Sequence, residues 1–165
     1  MPAGFIGRLR SVWVKSVRIP RERLSAWLEA LVKAKSSASK LLERLGDVTV
    51  ILFGSYARGD FNRWSDIDII VVSPRFRGVR ILDRYDMVSG AVEEGVEAIL
   101  MTPEEFREAL RKPVWGHALA RSSAIVVDRL GLAREVEEAL GRRPPSLEDL
   151  EAMVRRLART RATQG

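Results

Sequence analysis

Two aspartates, Asp66 and Asp68, stand two positions apart at the start of an apolar segment. Alternate residues of a β-strand point to the same face, so the two Cα atoms are expected about 6–7 Å apart with both carboxylates on one side. Like charges at that separation raise the cost of ionising each other. Since a divalent cation removes that cost, the pair indicates a metal site.

A Gly-Ser turn precedes these carboxylates. Gly54 and Ser55 follow an apolar, β-branched segment (48–53), and ten intervening residues separate Ser55 from Asp66. Backbone N–H groups and a hydroxyl in such a turn suit phosphate oxygens. A phosphate-binding turn beside metal-binding carboxylates predicts that the chain handles a nucleoside triphosphate. Arg58 lies in the same loop, where it is either a further cation near the phosphates or an ordinary exposed arginine.

A third carboxylate is required if the site holds two magnesium ions, and it must come from a neighbouring strand. Glu97 meets this requirement, because it is the only charged residue in the apolar segment 96–101. An acid near the middle of a sheet is costly unless it is paired or bound to metal. The alternative is that Glu97 faces water on an edge strand.

The run from Gly54 to Gly59, together with the spacing to Asp66-x-Asp68, resembles the nucleotidyltransferase superfamily with the DNA-polymerase-β-type palm. Within that superfamily, the chain looks most like the minimal nucleotidyltransferases (MNT). The resemblance covers about residues 25–140. It implies transfer of a nucleoside monophosphate, AMP from ATP, to an acceptor hydroxyl with release of pyrophosphate.

The resemblance also implies a role for each site residue. The catalytic and metal-binding residues would be Asp66, Asp68 and Glu97, which would hold two Mg²⁺ ions, with Mn²⁺ as the alternative. The nucleotide-binding residues would be Gly54, Ser55 and Arg58. The family usually has Asp at the third carboxylate position, where this chain has Glu97.

Minimal nucleotidyltransferases of this type resemble antitoxins that transfer AMP to a small helical HEPN-type toxin. The resemblance therefore implies a protein partner that supplies the acceptor hydroxyl. Two alternatives stay open: the acceptor is a small molecule or an RNA, or the chain is an inactive nucleotide-binding or interaction module. Transfer to nucleic acid is less favoured, because no appended RNA-binding domain is evident after residue 140.

The elements that must position these residues follow from hydrophobic periodicity. Apolar residues at three- and four-residue steps predict a helix from Pro20 to Gly46. Strands are predicted at 48–53, 66–72, 96–101 and 124–127, and helices at 81–94, 103–111, 114–120, 132–140 and from 146 onward. Thr102 with Glu105, and Ser146 with Asp149, can cap two of these helices. This order predicts an α/β (α+β) fold, with a small mixed sheet of about four strands and helices packed on it.

Composition sets further bounds. The chain has 165 residues, 46% of them apolar and 30% charged, which is typical of a folded domain. It has no apolar run of the length a membrane span needs and no signal-peptide core. It has no cysteine, which excludes disulfides and thiolate chemistry. We therefore expect a cytoplasmic protein with no membrane association.

The net charge of +6 is concentrated near the N-terminus, where residues 1–47 carry ten Lys/Arg and four Asp/Glu. This charge could meet nucleic acid or an acidic partner, or could simply form a solvated helix face. We expect a basic N-terminal arm (1–22), a nucleotidyltransferase domain (23–140) and a C-terminal helix with a frayed tail (141–165). His117 is expected to be a packed or surface histidine. Trp64 could stack on a base or cover the active-site loop.

Overall fold

The computed structural model describes residues 19–162. Its four strands form one mixed sheet in the order β3-β2-β1-β4. The strands are β1 (Thr49–Phe53), β2 (Ile67–Val72), β3 (Val96–Met101) and β4 (Ser123–Asp128). β1 is antiparallel to both β2 and β4, whereas β2 and β3 are parallel. The predicted fold class, a small mixed sheet with helices packed on it, is confirmed.

Seven helices occur within the described range. They are α1 (Arg21–Leu45), α2 (Ser55–Arg58), α3 (Ile81–Val88), α4 (Pro103–Arg111), α5 (Pro113–Arg121), α6 (Leu132–Leu140) and α7 (Leu147–Ala162). The prediction that the helix beginning at Ile81 runs to residue 94 is wrong. It ends at Val88 because Gly90 adopts a positive φ of 75° and the chain turns before β3.

The alternation of side chains divides the core into two layers. On one face, Val50, Leu52 and Ile69 pack with α1 and α7. On the other face, Ile51, Ile70 and Val72 pack with residues of α4, α5 and α6. The second layer is the smaller one, and the carboxylate-bearing end of the sheet lies on its face.

Two helix caps hold the loops around the sheet. Thr102 Oγ1 accepts the Glu105 N–H at 3.1 Å, and the Glu105 carboxylate accepts the Thr102 N–H at 2.9 Å. Ser146 and Asp149 form the same reciprocal pair at the start of α7. Both predicted capping pairs are therefore present, and each satisfies N–H groups that a helix start leaves without partners.

The basic arm predicted at residues 1–22 lies mostly outside the described residues. At the other end of the chain, Leu147, Leu150 and Val154 of α7 belong to the same buried cluster as α1. The division at residues 22 and 140 stays a prediction. No helix within residues 19–162 combines the length and apolarity that crossing a bilayer requires.

Candidate active site

Three adjacent strands bring their site-facing residues into one row. Phe53 of β1 pairs in register with Asp68 of β2, and Asp68 pairs with Glu97 of β3. Directly paired residues of neighbouring strands point to the same face, with strands about 4.8 Å apart. Asp68 and Glu97 are therefore side by side on the face of the smaller core layer. The two carboxylates predicted from separate segments are neighbours.

Asp66 stands immediately outside this row. β2 begins at Ile67, so the prediction that the strand starts at Asp66 is one residue too long. Ile67 donates its N–H to the carbonyl of Gly95 at 3.0 Å, which fixes the start of β2 against the turn before β3. Asp66 is exposed, whereas Asp68 is partly buried.

The charges of the three carboxylates act on one another. Burial raises the pKa of Asp68, and the nearby charges of Glu97 and Asp66 raise it further, while Arg58 lowers it. Burial and the charge of Asp66 also raise the pKa of Tyr56. The carboxylates therefore lie within electrostatic reach of each other at one end of the sheet.

Glu97 is on an edge strand and is exposed. The expectation that it lies near the middle of the sheet is wrong, and its carboxylate has access to water. Its register position opposite Asp68 is nevertheless the one that a shared cation site requires. Glu97 is both at the sheet edge and aligned with Asp68 because, among the strands of residues 19–162, β3 is outermost and pairs only with β2.

The donor chemistry of Asp66, Asp68 and Glu97 fits a hard divalent cation, which prefers carboxylate oxygens. Within the part of the chain that the structure describes, however, no three acidic or histidine side chains are close enough to form a ready-made metal site. The three carboxylates therefore have the chemistry that a metal site requires and lie at the same end of the sheet, but they do not form a complete set of metal ligands.

Gly54 separates β1 from the four-residue helix α2. It has a φ of 80°, a conformation that glycine adopts without strain. A Cβ at this position would lie 2.8 Å from Oδ2 of Asp68. The glycine therefore lets the Asp68 carboxylate lie directly against the backbone of the turn, so the turn and the carboxylates form one site.

The first amides of α2, those of Ser55 and Tyr56, follow directly after Gly54, which contacts Asp68. The N–H groups of Ala57 and Arg58 are bonded to the Gly54 carbonyl at 3.1 Å, and those of Ser55 and Tyr56 begin the helix. The opening N–H groups of any helix lack intrahelical partners. With the Ser55 hydroxyl, they supply the donors expected of a phosphate-binding turn.

Arg58 forms hydrogen bonds with neighbouring side chains. Its guanidinium bonds both oxygens of Asp60 at 3.0–3.1 Å and donates to the Ser122 Oγ at 3.1 Å. The Gly54 N–H in turn donates to the Ser122 carbonyl at 3.2 Å. Arg58 therefore ties the turn after β1 to the start of β4, and its charge also reaches Asp68.

The sequence reasoning missed the residues of α1 that hold this loop. Trp27 donates its Nε1–H to the Tyr56 carbonyl at 2.6 Å, and Arg23 donates to the carbonyls of Gly59 and Phe61 at 3.2 and 2.5 Å. The Phe61 ring stacks on Tyr56 with centroids 4.2 Å apart. Helical periodicity places Trp27 on the buried face of α1, but no local pattern indicates that this face meets the loop.

Gly59 shows how tight this contact is. Its φ is 90°, and a Cβ there would come within 2.3 Å of the Trp27 ring. A positive-φ glycine is thus required twice in six residues, once against Asp68 and once against Trp27. The turn after β1 is therefore held between the carboxylates and α1.

The remaining candidates behave differently. His117 is exposed, in agreement with the surface interpretation. Trp64 is 84% exposed, so it does not cover the active-site loop, and the guanidinium of Arg63 lies 5.8 Å from its ring centroid. Stacking of Trp64 on a base stays a prediction.

Residues 34–122, more than half of the chain, match the family described as the nucleotidyltransferase domain. The chain belongs to this family. A search of curated proteins found no match. The chain is also similar to a proposed nucleotidyltransferase from Sulfolobus solfataricus solved at 1.40 Å, with 27% identity over 57% of this chain and 82% of that one and a TM-score of 0.48.

The matched region of this nucleotidyltransferase contains the site residues from Gly54 to Glu97 as well as Ser122, whereas Arg23 and Trp27 of α1 lie before it. Membership implies a nucleoside triphosphate as substrate, and the family generally uses divalent metal ions. The general activity, nucleotidyl transfer, therefore agrees with the sequence-based prediction.

Proposed function

We propose that the chain is a metal-dependent nucleotidyltransferase that moves AMP from ATP to a hydroxyl group of a protein partner. The observation that carries the proposal is the alignment of Asp68 with Glu97 across β2 and β3, with the Gly54 turn against Asp68. The family match supports the transfer chemistry in general.

In this proposal the metal-binding residues are Asp66, Asp68 and Glu97. A divalent ion held there would neutralise charge on the phosphates and lower the pKa of the attacking hydroxyl. The nucleotide-binding groups are the Ser55 hydroxyl and the amides of Ser55 and Tyr56, which donate to phosphate oxygens. Arg58 adds positive charge beside them. Most of what the protein contributes is positioning and electrostatic stabilisation.

The transfer needs no reactant other than ATP and the acceptor. The acceptor oxygen forms a bond to the α-phosphorus, and the bond from that phosphorus to the β-bridging oxygen breaks with its electron pair. Pyrophosphate leaves, and the proton of the acceptor hydroxyl passes to water. The transferred AMP remains on the acceptor.

The proposed partner is a small helical HEPN-type toxin, with this chain as its antitoxin of the MNT type, acting in the cytoplasm. This finer assignment is supported by the run from Gly54 to Gly59 and its spacing to Asp66, which resemble that group. A neighbouring gene that encodes a small all-helical protein with an Arg-(x)n-His motif would support it independently.

The test is incubation with ATP labelled at the α-phosphate and magnesium, with and without the protein encoded by the neighbouring gene. Label on that protein supports the proposal. Label on RNA or on a small molecule supports nucleotidyl transfer to another acceptor, and the absence of any transfer contradicts the enzymatic function. Asp66→Asn and Asp68→Asn are the matched inactive variants.

One observation favours a second candidate, an inactive nucleotide-binding module. Glu97 is exposed, and no closed metal-ligand group forms among the described residues. ATP binding that is measurable by calorimetry, without magnesium-dependent release of pyrophosphate, would support this second candidate over transfer.

A further inference from the structure

A cleft opens on the side of the carboxylates that is opposite to the Gly54 turn. It has a volume of about 780 Å³ and extends from Asp68 and Glu97 along β3 to the C-terminal half of α3 and the turn that follows. Gly54, Ser55 and Arg58 reach Asp68 from β1, whereas the cleft reaches it from β3. The cleft and the proposed nucleotide-binding turn therefore approach the same carboxylate from opposite sides.

The outer face of α3 beside this cleft is apolar and exposed. Leu82 is 81% exposed, Ile81 63% and Tyr85 46%. Because positions three and four apart on a helix are neighbours, Tyr85 adjoins both of the others. Contiguous exposed apolar patches commonly mark contact surfaces for other molecules. Tyr85 belongs to both the apolar face and the cleft.

Among residues 19–162, the side chains that line the cleft carry negative charge and include no basic residue. Its acidic members are Asp68, Asp86, Glu93, Glu94 and Glu97, and its other members are apolar residues, glycines, Ser89 and Tyr85. Three cations of α1 contact residues of this wall. Lys40 pairs with Glu93 at 2.6 Å, Lys33 donates to the Glu94 carbonyl at 3.3 Å, and Arg44 donates to the Ser89 carbonyl.

Within the described part of the chain, these contacts pair only Glu93 among the acidic side chains of the wall. No ion pair within residues 19–162 engages Asp86, Glu94 or Glu97. Even where cations at the active site neutralise Glu97, Asp86 and Glu94 remain farther along the cleft. A nucleic-acid strand needs basic side chains against its phosphates, and the part of the wall that the structure describes supplies none.

We propose that this cleft, together with the exposed face of α3, binds the acceptor, and that the acceptor is a polypeptide segment with basic and aliphatic side chains around its hydroxyl. The inference rests on the proposed function, which it deepens by stating where the acceptor binds and which side chains surround its hydroxyl. Complementary charge steers such a segment toward Glu94 and Asp86, and its aliphatic side chains cover Leu82 and Ile81.

The acceptor segment does not bind by pairing as an additional strand with the outer edge of β3. The Tyr85 hydroxyl donates to the Ala98 carbonyl at 3.3 Å, and Arg84 donates to the Leu100 carbonyl at 3.1 Å. Since α3 side chains bond these outward carbonyls, the acceptor contacts side chains of α3 and the cleft wall rather than extending the sheet.

The test is a selection of random twelve-residue peptides on the immobilised whole chain, without ATP or metal. Selected peptides are then measured by fluorescence anisotropy beside a twelve-nucleotide single-stranded RNA. We expect basic, aliphatic peptides whose affinity falls at least tenfold in Leu82→Ser and Asp86→Lys. The matched controls are Val32→Ser, an exposed apolar residue on α1, and Glu148→Lys, an exposed acid on α7, and both should bind as the wild type does.

Three results would overturn the proposal. They are selection of acidic peptides or of none, binding that the cleft substitutions leave unchanged, and RNA binding that falls in Leu82→Ser. The measurement needs no transfer, so it is independent of the proposed function. Peptide binding without AMP transfer in any assay would contradict the proposed enzymatic function and still support peptide binding in the cleft. AMP transfer at the wild-type rate in both Leu82→Ser and Asp86→Lys would contradict the role of the cleft and leave the enzymatic function intact.

Discussion

The carboxylate of Asp68 lies so close to Gly54 that a Cβ on the glycine would be 2.8 Å from Oδ2. This contact joins the turn after β1 to the carboxylate of β2. Because Gly54 also has a positive φ, two separate physical demands fall on one residue. Substituting Gly54 and, separately, another glycine of positive φ distinguishes the effect of backbone strain from the effect of the contact.

Gly54→Ala should destabilise the fold by about 1–3 kcal/mol, because φ 80° with ψ −152° is a region that essentially only glycine adopts, and it should also displace the Asp68 carboxylate. Magnesium-dependent release of pyrophosphate should fall at least tenfold. Gly78→Ala is the matched control, since Gly78 has a φ of 73° and no atom within 4 Å of an added Cβ. It should lose stability in urea unfolding through its own positive φ and keep its activity, and equal activity in both variants would contradict the role of the contact.

Asp68→Asn should reduce pyrophosphate release to background and stabilise the metal-free protein at pH 7. The pKa of Asp68 is raised by burial, then by Glu97 and Asp66, so its ionised form disfavours folding above its ordinary pKa of 3.8. That penalty disappears as the pH falls through the raised pKa, and the Asn variant never carries it. Thermal unfolding without divalent ions measures the effect, with Asp47→Asn, an exposed residue before β1, as control. A lower melting temperature at pH 7 for Asp68→Asn would refute the argument.

Ser55→Ala should weaken ATP binding about tenfold, the order expected for one hydrogen bond to a charged group, and should leave the fold intact. Isothermal titration calorimetry measures the affinity and circular dichroism checks the fold. Ser25→Ala, an exposed position on α1, should bind ATP as the wild type does. Unchanged affinity in Ser55→Ala would remove the hydroxyl from the phosphate site.

Trp27→Phe should destabilise the protein by about 2 kcal/mol, because it removes the hydrogen bond to the Tyr56 carbonyl and part of the ring against Gly59. The KM for ATP should rise, since the loop that carries Ser55 loses its support. Trp64→Phe is the control for this effect. Because Trp64 is 84% exposed, its substitution should leave the free energy of unfolding unchanged. An unaltered KM for ATP in Trp27→Phe would show that Trp27 stabilises the core without supporting the nucleotide-binding loop.

Arg84→Met should cost about 3 kcal/mol of stability. Arg84 is 5% exposed and bonds both oxygens of Glu105 at 2.6–2.8 Å as well as the carbonyls of Val79 and Leu100. Arg80→Met is the control, because the side chain of Arg80 is 85% exposed in its pair with Asp83.

The Arg84 variant also has a pH signature. The hydrogen bonds from Arg84 lower the pKa of Glu105 below its ordinary 4.5. The resulting stabilisation is complete above 4.5 and is lost as the pH falls through the lowered pKa. Wild type and Arg84→Met should therefore approach each other in unfolding free energy as the solution becomes more acidic. A constant difference would contradict the assignment.

Local patterns in the sequence determined the elements and the general chemistry of this protein. β-Branched runs predicted the strands, three- and four-residue steps predicted the helices, and Gly54-Ser55 with Asp66-x-Asp68 predicted a phosphate- and metal-binding site that resembles those of nucleotidyltransferases. These features depend on neighbours in the chain, which periodicity and turn chemistry report directly.

Tertiary structure decided what distant segments do to each other. Only the strand order shows that β3 is an edge strand, so that Glu97 is exposed and still aligned with Asp68. Only packing brings Trp27 against Gly59 and opens a cleft between α3 and β3. The physical reason is that strand order and helix docking follow from burying one shared core, a property of the whole chain that no local spacing encodes.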